Sequence, residues 1–323
     1  MNIKSAIKSL LPYIKKSQFK KAFSILSNQI DYIINIKTLK KREVVRKVNS
    51  YPMILNFDEE GLSKHLMIHR EREIPETDTI RKIVKPGMCI LEIGANIGYY
   101  TVLMANLVGK TGKIYSYEPY PKSVDILTRN VELNNLTNIV EINNCAVSDK
   151  NSLQKLYLGS ASNVHSLINY KTDDNNADYI EVKTKDIKEI LMESTRKIDL
   201  LRMDIEGHER EIFNRLGKDI NSALPARIFF EIHPLGDIDP DPTFTGPLTN
   251  MMELGYHPEL IISSANTVAK KMFDELNYQP FKVINLNTHI NYIYNQIKTS
   301  DLLKVAARRP KITRAILLTR QQS

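Results

Sequence analysis

Short apolar runs recur at Met88–Gly94, Lys113–Glu118, Ile139–Val147, Ile198–Ile205 and Arg227–Ile232, and read as strands covered on both faces. Between them apolar residues return at helical spacing. Tyr100, Val102, Leu103, Ala105 and Leu107 lead to Gly109; Val124, Leu127 and Val131 lie within Pro121–Asn134; Ile187–Met192 and His208–Leu216 follow, the last stopped by Gly217. This alternation predicts an α/β fold with a doubly wound, mostly parallel, seven-stranded sheet. Leu153–Leu158 and Tyr179–Lys183 predict inserted strands flanking the polar stretch Gly159–Asn176. After the proline-rich loop Pro234–Pro247, a helix is expected at Leu248–Leu254 and strands near Leu260–Ser263, Val283–Asn287 and Arg314–Thr319.

Upstream, residues 51–75 predict a hairpin of Met53–Phe57 and His65–His69 around Glu59–Glu60–Gly61, then a helix from about Glu76 to Lys85 stopped by Pro86–Gly87. Residues 1–50 predict basic amphipathic helices. Ile3, Ile7, Leu10 and Ile14 form one stripe, and Phe19, Phe23, Leu26, Ile30 and Ile33 another beyond a Ser17 cap. The expected division is an extension over 1–50 and one domain over 51–323, with its motifs in 88–234.

Charge changes the picture at one end only. The chain carries +8 in all, but residues 1–50 hold twelve Lys/Arg against two Asp/Glu, leaving the remainder at −2. The main domain therefore lacks the basic surface that gripping nucleic acid requires, and no nucleic-acid partner is expected. For the extension two readings stay open: a solvated face on a packed helix, or a face resting on an anionic membrane. Cys89 and Cys145 lie in apolar runs and read as reduced thiols. With no secretory signal and no membrane-spanning run, the expected location is cytoplasmic, with peripheral contact at the inner membrane face.

The chemistry gathers where the strands end. Ile90–Thr101 (ILEIGANIGYYT) joins a strand to a helix through Gly94 and Gly98, placing backbone N–H groups and a helix start at one point. A dinucleotide pyrophosphate wants glycine at the slot that Asn96 holds here, and Glu92 sits at the strand's end. Glu-x-Gly-x-Asn-x-Gly instead resembles motif I of the class I S-adenosylmethionine (SAM) methyltransferases. Glu118, ending the second strand, is placed to accept hydrogen bonds from both ribose hydroxyls. Asn144–Asp149 ends the third, where Ala146 and Val147 offer an apolar face to adenine and Asp149 an acceptor for its amine. Asp204 and Glu206 are one strand repeat apart at the end of the fourth, as Glu231 and His233 are on the fifth. His233 is the expected general base, with Glu206 and Glu231 orienting it or the acceptor. A metal held by Asp204, Glu206 and His233 has workable ligands, but no metal is expected; His208 reads as structural or as an orienter of Glu206.

LEIGANIGYYT, EPYP, NCAVSD, LLRMDIEGHE and FFEIHP, in that order and spacing, resemble the FkbM-type methyltransferase family from about Met88 to Pro234. The resemblance implies a Rossmann-like class I fold, SAM as cofactor, and O-methylation of hydroxyls on glycans, glycolipids or secondary metabolites. It implies a cofactor site of Glu92, Gly94, Ala95, Asn96, Gly98, Tyr99, Glu118, Pro119, Ala146, Val147 and Asp204, with Asp204, Glu206, Glu231 and His233 at the chemistry. Ser162, Asn163 and His165 are candidate acceptor contacts. His208 departs from the family, which often has a small or aromatic residue there. Two other readings remain: an RNA 2′-O-methyltransferase clamping with its basic end, and a non-catalytic SAM-binding or membrane-associated scaffold.

Overall fold

A computed structural model describes residues 19–58, 61–159, 161, 164–169, 177–233, 242–264, 267–286, 289–306 and 312–320. Helix α1 (Phe19–Tyr32) passes through a π-helical turn (Ile33–Thr38) into the antiparallel hairpin β1 (Glu43–Val48) and β2 (Tyr51–Asn56). Helices α2 (Leu62–His69) and α3 (Ile74–Ile83) come next. Strand–helix alternation then begins: β3 (Cys89–Ile93), α4 (Tyr99–Val108), β4 (Lys113–Tyr117), α5 (Pro121–Leu133), β5 (Val140–Asn143). Strands β6 (Ala146–Ser148), β7 (Ser152–Tyr157) and β8 (Tyr179–Asp186) form a separate small sheet. Alternation resumes with α6 (Ile187–Glu193), β9 (Leu200–Met203), α7 (Glu209–Arg215) and β10 (Arg227–Glu231). The rest is α8 (Pro242–Glu253), β11 (Tyr256–Ser263), α9 (Thr267–Glu275), β12 (Lys282–Leu286), β13 (His289–Asn295), α10 (Thr299–Ala306) and β14 (Thr313–Arg320).

The main sheet runs β12-β13-β11-β14-β10-β9-β3-β4-β5. The five strands from β5 to β10 are parallel, and every pairing beyond β10 is antiparallel. The doubly wound α/β architecture is therefore the one expected, its seven strands extended to nine by β12 and β13 at one edge. From β3 the chain winds outward to β5, then crosses back to β9 on β3's other side. That reversal opens a crevice beyond the carboxyl ends of β3 and β9.

Strand alternation feeds two cores. Leu91, Ile93, Leu201, Met203, Ile228 and Phe230 face α7 and α8. Ile90, Leu200, Phe229 and Leu317 face α3, α4 and the hairpin. Both faces of the central strands are covered, which is why their sequences are nearly unbroken apolar runs.

Local expectations fail in four places. His65–His69 is the second half of α2, because Leu62, Leu66 and Met67 are buried at helical spacing; the hairpin partner of β2 is β1. The helical reading of residues 1–50 therefore stops before Glu43. Ile139–Val147 is not one strand: it breaks at Asn144–Cys145, β5 joining the main sheet and β6 the small one. The second outer strand, β13, had no counterpart in the sequence reading. Residues 1–18, with the Ile3–Ile14 stripe, lie outside the described residues, as do Ser162, Asn163 and most of the Pro234–Pro247 loop. Among the described residues no helix is long and apolar enough to cross a membrane, and both cysteines are free.

The crevice depends on close backbone approach. Gly94 has φ +82°, and a Cβ there would stand 2.1 Å from the Asp204 carbonyl oxygen. Gly94→Ala is expected to cost about 2–4 kcal/mol in urea unfolding, from left-handed strain plus overpacking. Gly255→Ala, at φ +87° with nothing within 4 Å, should cost only the strain, about 1–2 kcal/mol.

Candidate active site

The glycine turn after β3 is held from behind. Gly94 and Ala95 donate their N–H groups to the Tyr117 carbonyl at 3.0 and 3.2 Å, fastening the turn to the end of β4. Asn96, at φ +50°, turns its N–H onto Glu118 Oε2 at 2.8 Å, and Tyr120 N–H meets Glu118 Oε1 at 2.9 Å. Burial pushes the Glu118 carboxyl up to about 7, against the two N–H groups, which favour its ionised form. Asn144 donates to the Glu118 carbonyl at 3.0 Å and fixes the next loop beside it.

These residues wall a cavity open to solvent on one side. Gly94, Ala95, Asn96, Tyr99, Glu118, Pro119, Asp204 and Glu206 line it, with Ala146 and Val147 as an apolar end. Leu156, His165, Ser166 and Leu167 add to the apolar end, so the small sheet and the loop after β7 close over it. His165, expected at the acceptor, lines this same cavity.

Several expected residues stand elsewhere. Glu92 is fully buried behind the turn, accepting from Thr101 Oγ1 at 2.6 Å and Ser116 Oγ at 3.0 Å, and does not line the cavity. Burial raises its carboxyl, though Arg202 3.9 Å away opposes this. Its position on the inward face of β3 turns it toward α4 rather than toward a ligand. Gly98 caps α4 at φ +90°, where a Cβ would meet Leu127; it shapes the turn without lining the cavity. Asp149 is bonded to Ser148 Oγ at 2.9 Å and is likewise off the cavity wall. His208 lines the wall and meets Ser148 Oγ through Nε2 at 2.9 Å; burial lowers its pKa and keeps it neutral. It braces β6 rather than Glu206.

Beyond the crevice the ends of β9 and β10 converge. His233 Nε2 lies 3.5 Å from Glu206, 3.8 Å from Glu231 and 3.9 Å from Asp204. Its Nδ1 meets Glu209 Oε1 at 3.1 Å, and the same oxygen accepts the Ile205 N–H. Burial disfavours charge on the ring, but Glu209, Glu231 and Asp204 outweigh it and raise His233 to about 9. At that value the imidazole carries a proton at neutral pH. Burial also lifts Glu206, to about 7, although His233 opposes the shift. Burial acts on Asp204 in the same sense, yet Arg202, His233, Arg72 and Arg314 together hold it below the ordinary carboxylate range.

The arginines were not foreseen. Arg202 contacts Asp204 at 3.1 Å, the Gly94 carbonyl at 3.2 Å and the Tyr100 ring at 4.2 Å. Arg314, at the start of β14, reaches Glu73, Glu76 and Glu231. Arg72 pairs with Glu73, and its backbone N–H and carbonyl both meet Tyr99 Oη at 2.9 Å. A charge inside the apolar strand Leu200–Met203 was a signal for Arg202; nothing local marked Arg72, Glu73 or Arg314. Ligand atoms of Asp204, Glu206 and His233 lie within 4.8 Å of one another, close enough to share a cation. The arginines and the imidazolium already supply positive charge there.

The donor set suits an adenosylated amino acid: a carboxylate on two backbone N–H groups for a ribose, apolar walls for a base, and Arg202 and Arg72 near the glycine turn for a carboxylate. Comparison with known proteins agrees. The model of the methyltransferase FkbM domain matches residues 92–258. A protein-L-isoaspartate O-methyltransferase of Methanococcoides burtonii is 39% identical over 59 residues, 18% of this chain and 29% of that protein. The methyltransferase sdnD of Sordaria araneosa is 25% identical over 158 residues, covering 40% of this chain and 61% of that one. The chain thus spans under a third of the first relative's length. Among solved structures, M. jannaschii TYW2 in complex with AdoMet covers 87% of this chain and 88% of its own, with 13% identity and a TM-score of 0.41. With SAM as its cofactor, this chain belongs to the FkbM methyltransferase family.

Proposed function

We propose that this methyltransferase alkylates a hydroxyl oxygen, on a sugar of a glycan or glycolipid or on a secondary metabolite. The observation that carries the reading is the Glu206 carboxyl, which lines the cofactor cavity 3.5 Å from His233 Nε2 and is raised by burial to about 7. A hydroxyl loses its proton only as the new C–O bond forms, and a group of near-neutral pKa at that point is what the transfer needs. The carboxylates of Asp204 and Glu231 suit the hydrogen-bonding hydroxyls of a polyol.

SAM supplies an electrophilic methyl group on a sulfonium. The chain's own residues do the rest, mostly by positioning. Glu118 accepts from the ribose hydroxyls, Ala146 and Val147 flank the base, and the turn from Gly94 to Asn96 with Arg202 receives the amino-acid end. Asp204 lies between the cofactor and acceptor sides. Glu206 takes the hydroxyl proton, and His233, tied to Glu209, keeps a positive charge beside it that opposes the rise burial imposes, so that Glu206 ionises near neutrality.

Incubating glycolipid and polysaccharide extracts with the protein and isotope-labelled SAM should yield a labelled methyl ether by mass spectrometry; label on nitrogen, carbon or a carboxyl would overturn the assignment. Glu118→Ala should weaken SAM binding in calorimetry about 10- to 100-fold through loss of charged hydrogen bonds. Glu206→Gln should lower kcat about 10²- to 10⁴-fold with SAM affinity within threefold of wild type. The pH profile of kcat should rise through about 7 as Glu206 ionises and fall through about 9 as His233 loses its proton. A profile rising through about 9 instead would return the base to His233. Activity should survive EDTA; loss restored by Mg²⁺ or Mn²⁺ would give Asp204, Glu206 and His233 a cation.

A further inference from the structure

Helix α1 carries two adjacent apolar stripes, and the described residues cover only one of them. Ala22, Ile25, Gln29 and Tyr32 are buried; Ala22 and Ile25 pack on Ile68 of α2, and the Tyr32 ring lies 5.8 Å from Phe57. Asn28 Nδ2 donates to the Ile68 carbonyl at 2.9 Å, fixing the helix's rotation. Phe19 and Phe23, by contrast, are 62% and 74% exposed, and Ile30 and Ile34 are each 49% exposed. At 3.6 residues per turn, Phe19, Phe23 and Ile30 fall within about 40° of one another. Ile33 and Leu39 carry the apolar surface past the end of the helix. Six of the sixteen exposed large apolar side chains among the described residues are thus in Phe19–Leu39. Scattered singly they would need no account, but a row of them marks a contact surface.

The charge along this row selects the partner. Lys20, Lys37, Lys40, Lys41 and Arg42 are exposed around it. Asp31 is the sole acidic residue of Phe19–Arg42, and Arg46 takes both its oxygens at 2.7 and 2.8 Å. A second copy of the chain would bring the same cations against this face and be repelled. A lipid bilayer with anionic headgroups offers an apolar layer for the phenylalanines and negative charge at the depth of the lysines.

We propose that the Phe19–Phe23–Ile30–Ile34 face of α1 seats this protein on an anionic lipid bilayer, with the surrounding lysines on the headgroups. The face is separate from the cofactor cavity, so the proposal stands or falls apart from the acceptor assignment.

Sedimentation of the full chain with vesicles tests it. The protein is expected to pellet with phosphatidylcholine vesicles containing about one-third phosphatidylglycerol, and at least tenfold less with phosphatidylcholine alone. Raising NaCl from about 0.1 to 0.5 M should release it. Phe19→Ser/Phe23→Ser should lower the apparent affinity for anionic vesicles at least tenfold, and Lys37→Glu/Lys40→Glu should lower it comparably. Val268→Ser, at an apolar position 46% exposed elsewhere on the surface, should leave it unchanged. Calorimetric affinity for SAM within twofold of wild type verifies that each variant is folded. Failure of the wild type to pellet with anionic vesicles would overturn the proposal, as would equal pelleting of wild type and the phenylalanine variant. A wild-type dimer by light scattering that the phenylalanine variant dissociates would give the face to a second copy instead.

Discussion

Arg202 is buried beneath the glycine turn, and its guanidinium joins the two halves of the site. It contacts the Gly94 carbonyl, the Asp204 carboxylate and the Tyr100 ring, with Glu92 3.9 Å away. These groups come from β3, the turn after it, α4 and β9. One cation therefore sets how the cofactor side and the acceptor side face each other. A guanidinium suits this role because it stays charged when buried and offers several donors in one plane. Removing it would leave the carboxylates of Glu92 and Asp204 facing each other in a medium that screens them poorly, which is the costly way to disrupt buried charge.

The same reasoning explains why the acceptor side titrates near neutrality. Glu73, Glu76, Glu92, Asp204, Glu206, Glu209 and Glu231 crowd a region whose fixed cations are Arg72, Arg202 and Arg314. Protons are retained where burial is least compensated: Glu76 and Glu206 are each raised to about 7, and His233 holds its proton to about 9. Asp204 is pulled the other way because Arg202 bonds it directly and Arg72 and Arg314 lie near. Neighbouring carboxylates with opposite shifts place an ionised group and one that titrates near neutrality side by side in one crevice.

What could be read in the sequence is what local runs carry. The glycine turn, Glu118, Asp204–Glu206 and Glu231–His233 each stand where a main-sheet strand ends, and a parallel sheet brings strand ends to one edge whatever joins them; Ala146–Val147 instead open β6 of the small sheet. Arg72, Glu73 and Arg314 could not be read, because they reach the site from the loop before α3 and from the antiparallel β14. Their arrival depends on sheet order, which no local pattern encodes. Other misses were contests between periods. His65–His69 alternates like a strand, yet burial of Leu62, Leu66 and Met67 makes it a helix. Charge lost to environment for His233: its sequence position suggested a base near its ordinary pKa, and the carboxylates that shift it lie on α7 and β9 as well as β10.

The segment before β3 is part of the site's wall rather than an appendage to it. Val44, Val48, Met53 and Leu55 of the hairpin share a core with Ile90 of β3 and Leu103 of α4. Asn130 of α5 ties Ile54 to Ile97, bonding the Ile54 N–H at 2.6 Å and the Ile97 carbonyl at 2.8 Å, so hairpin, glycine turn and α5 share one buried amide. Arg129 adds a pair with Glu43. Held this way, α2 presents Leu62 to the cavity and the following loop presents Arg72 and Glu73. A boundary drawn after residue 50 would cut between β1 and β2, through a hairpin that the catalytic core needs. Before Glu43, α1 and the π-helical turn touch the other described residues through Ala22, Ile25 and Tyr32 among others, and an apolar row on them is exposed.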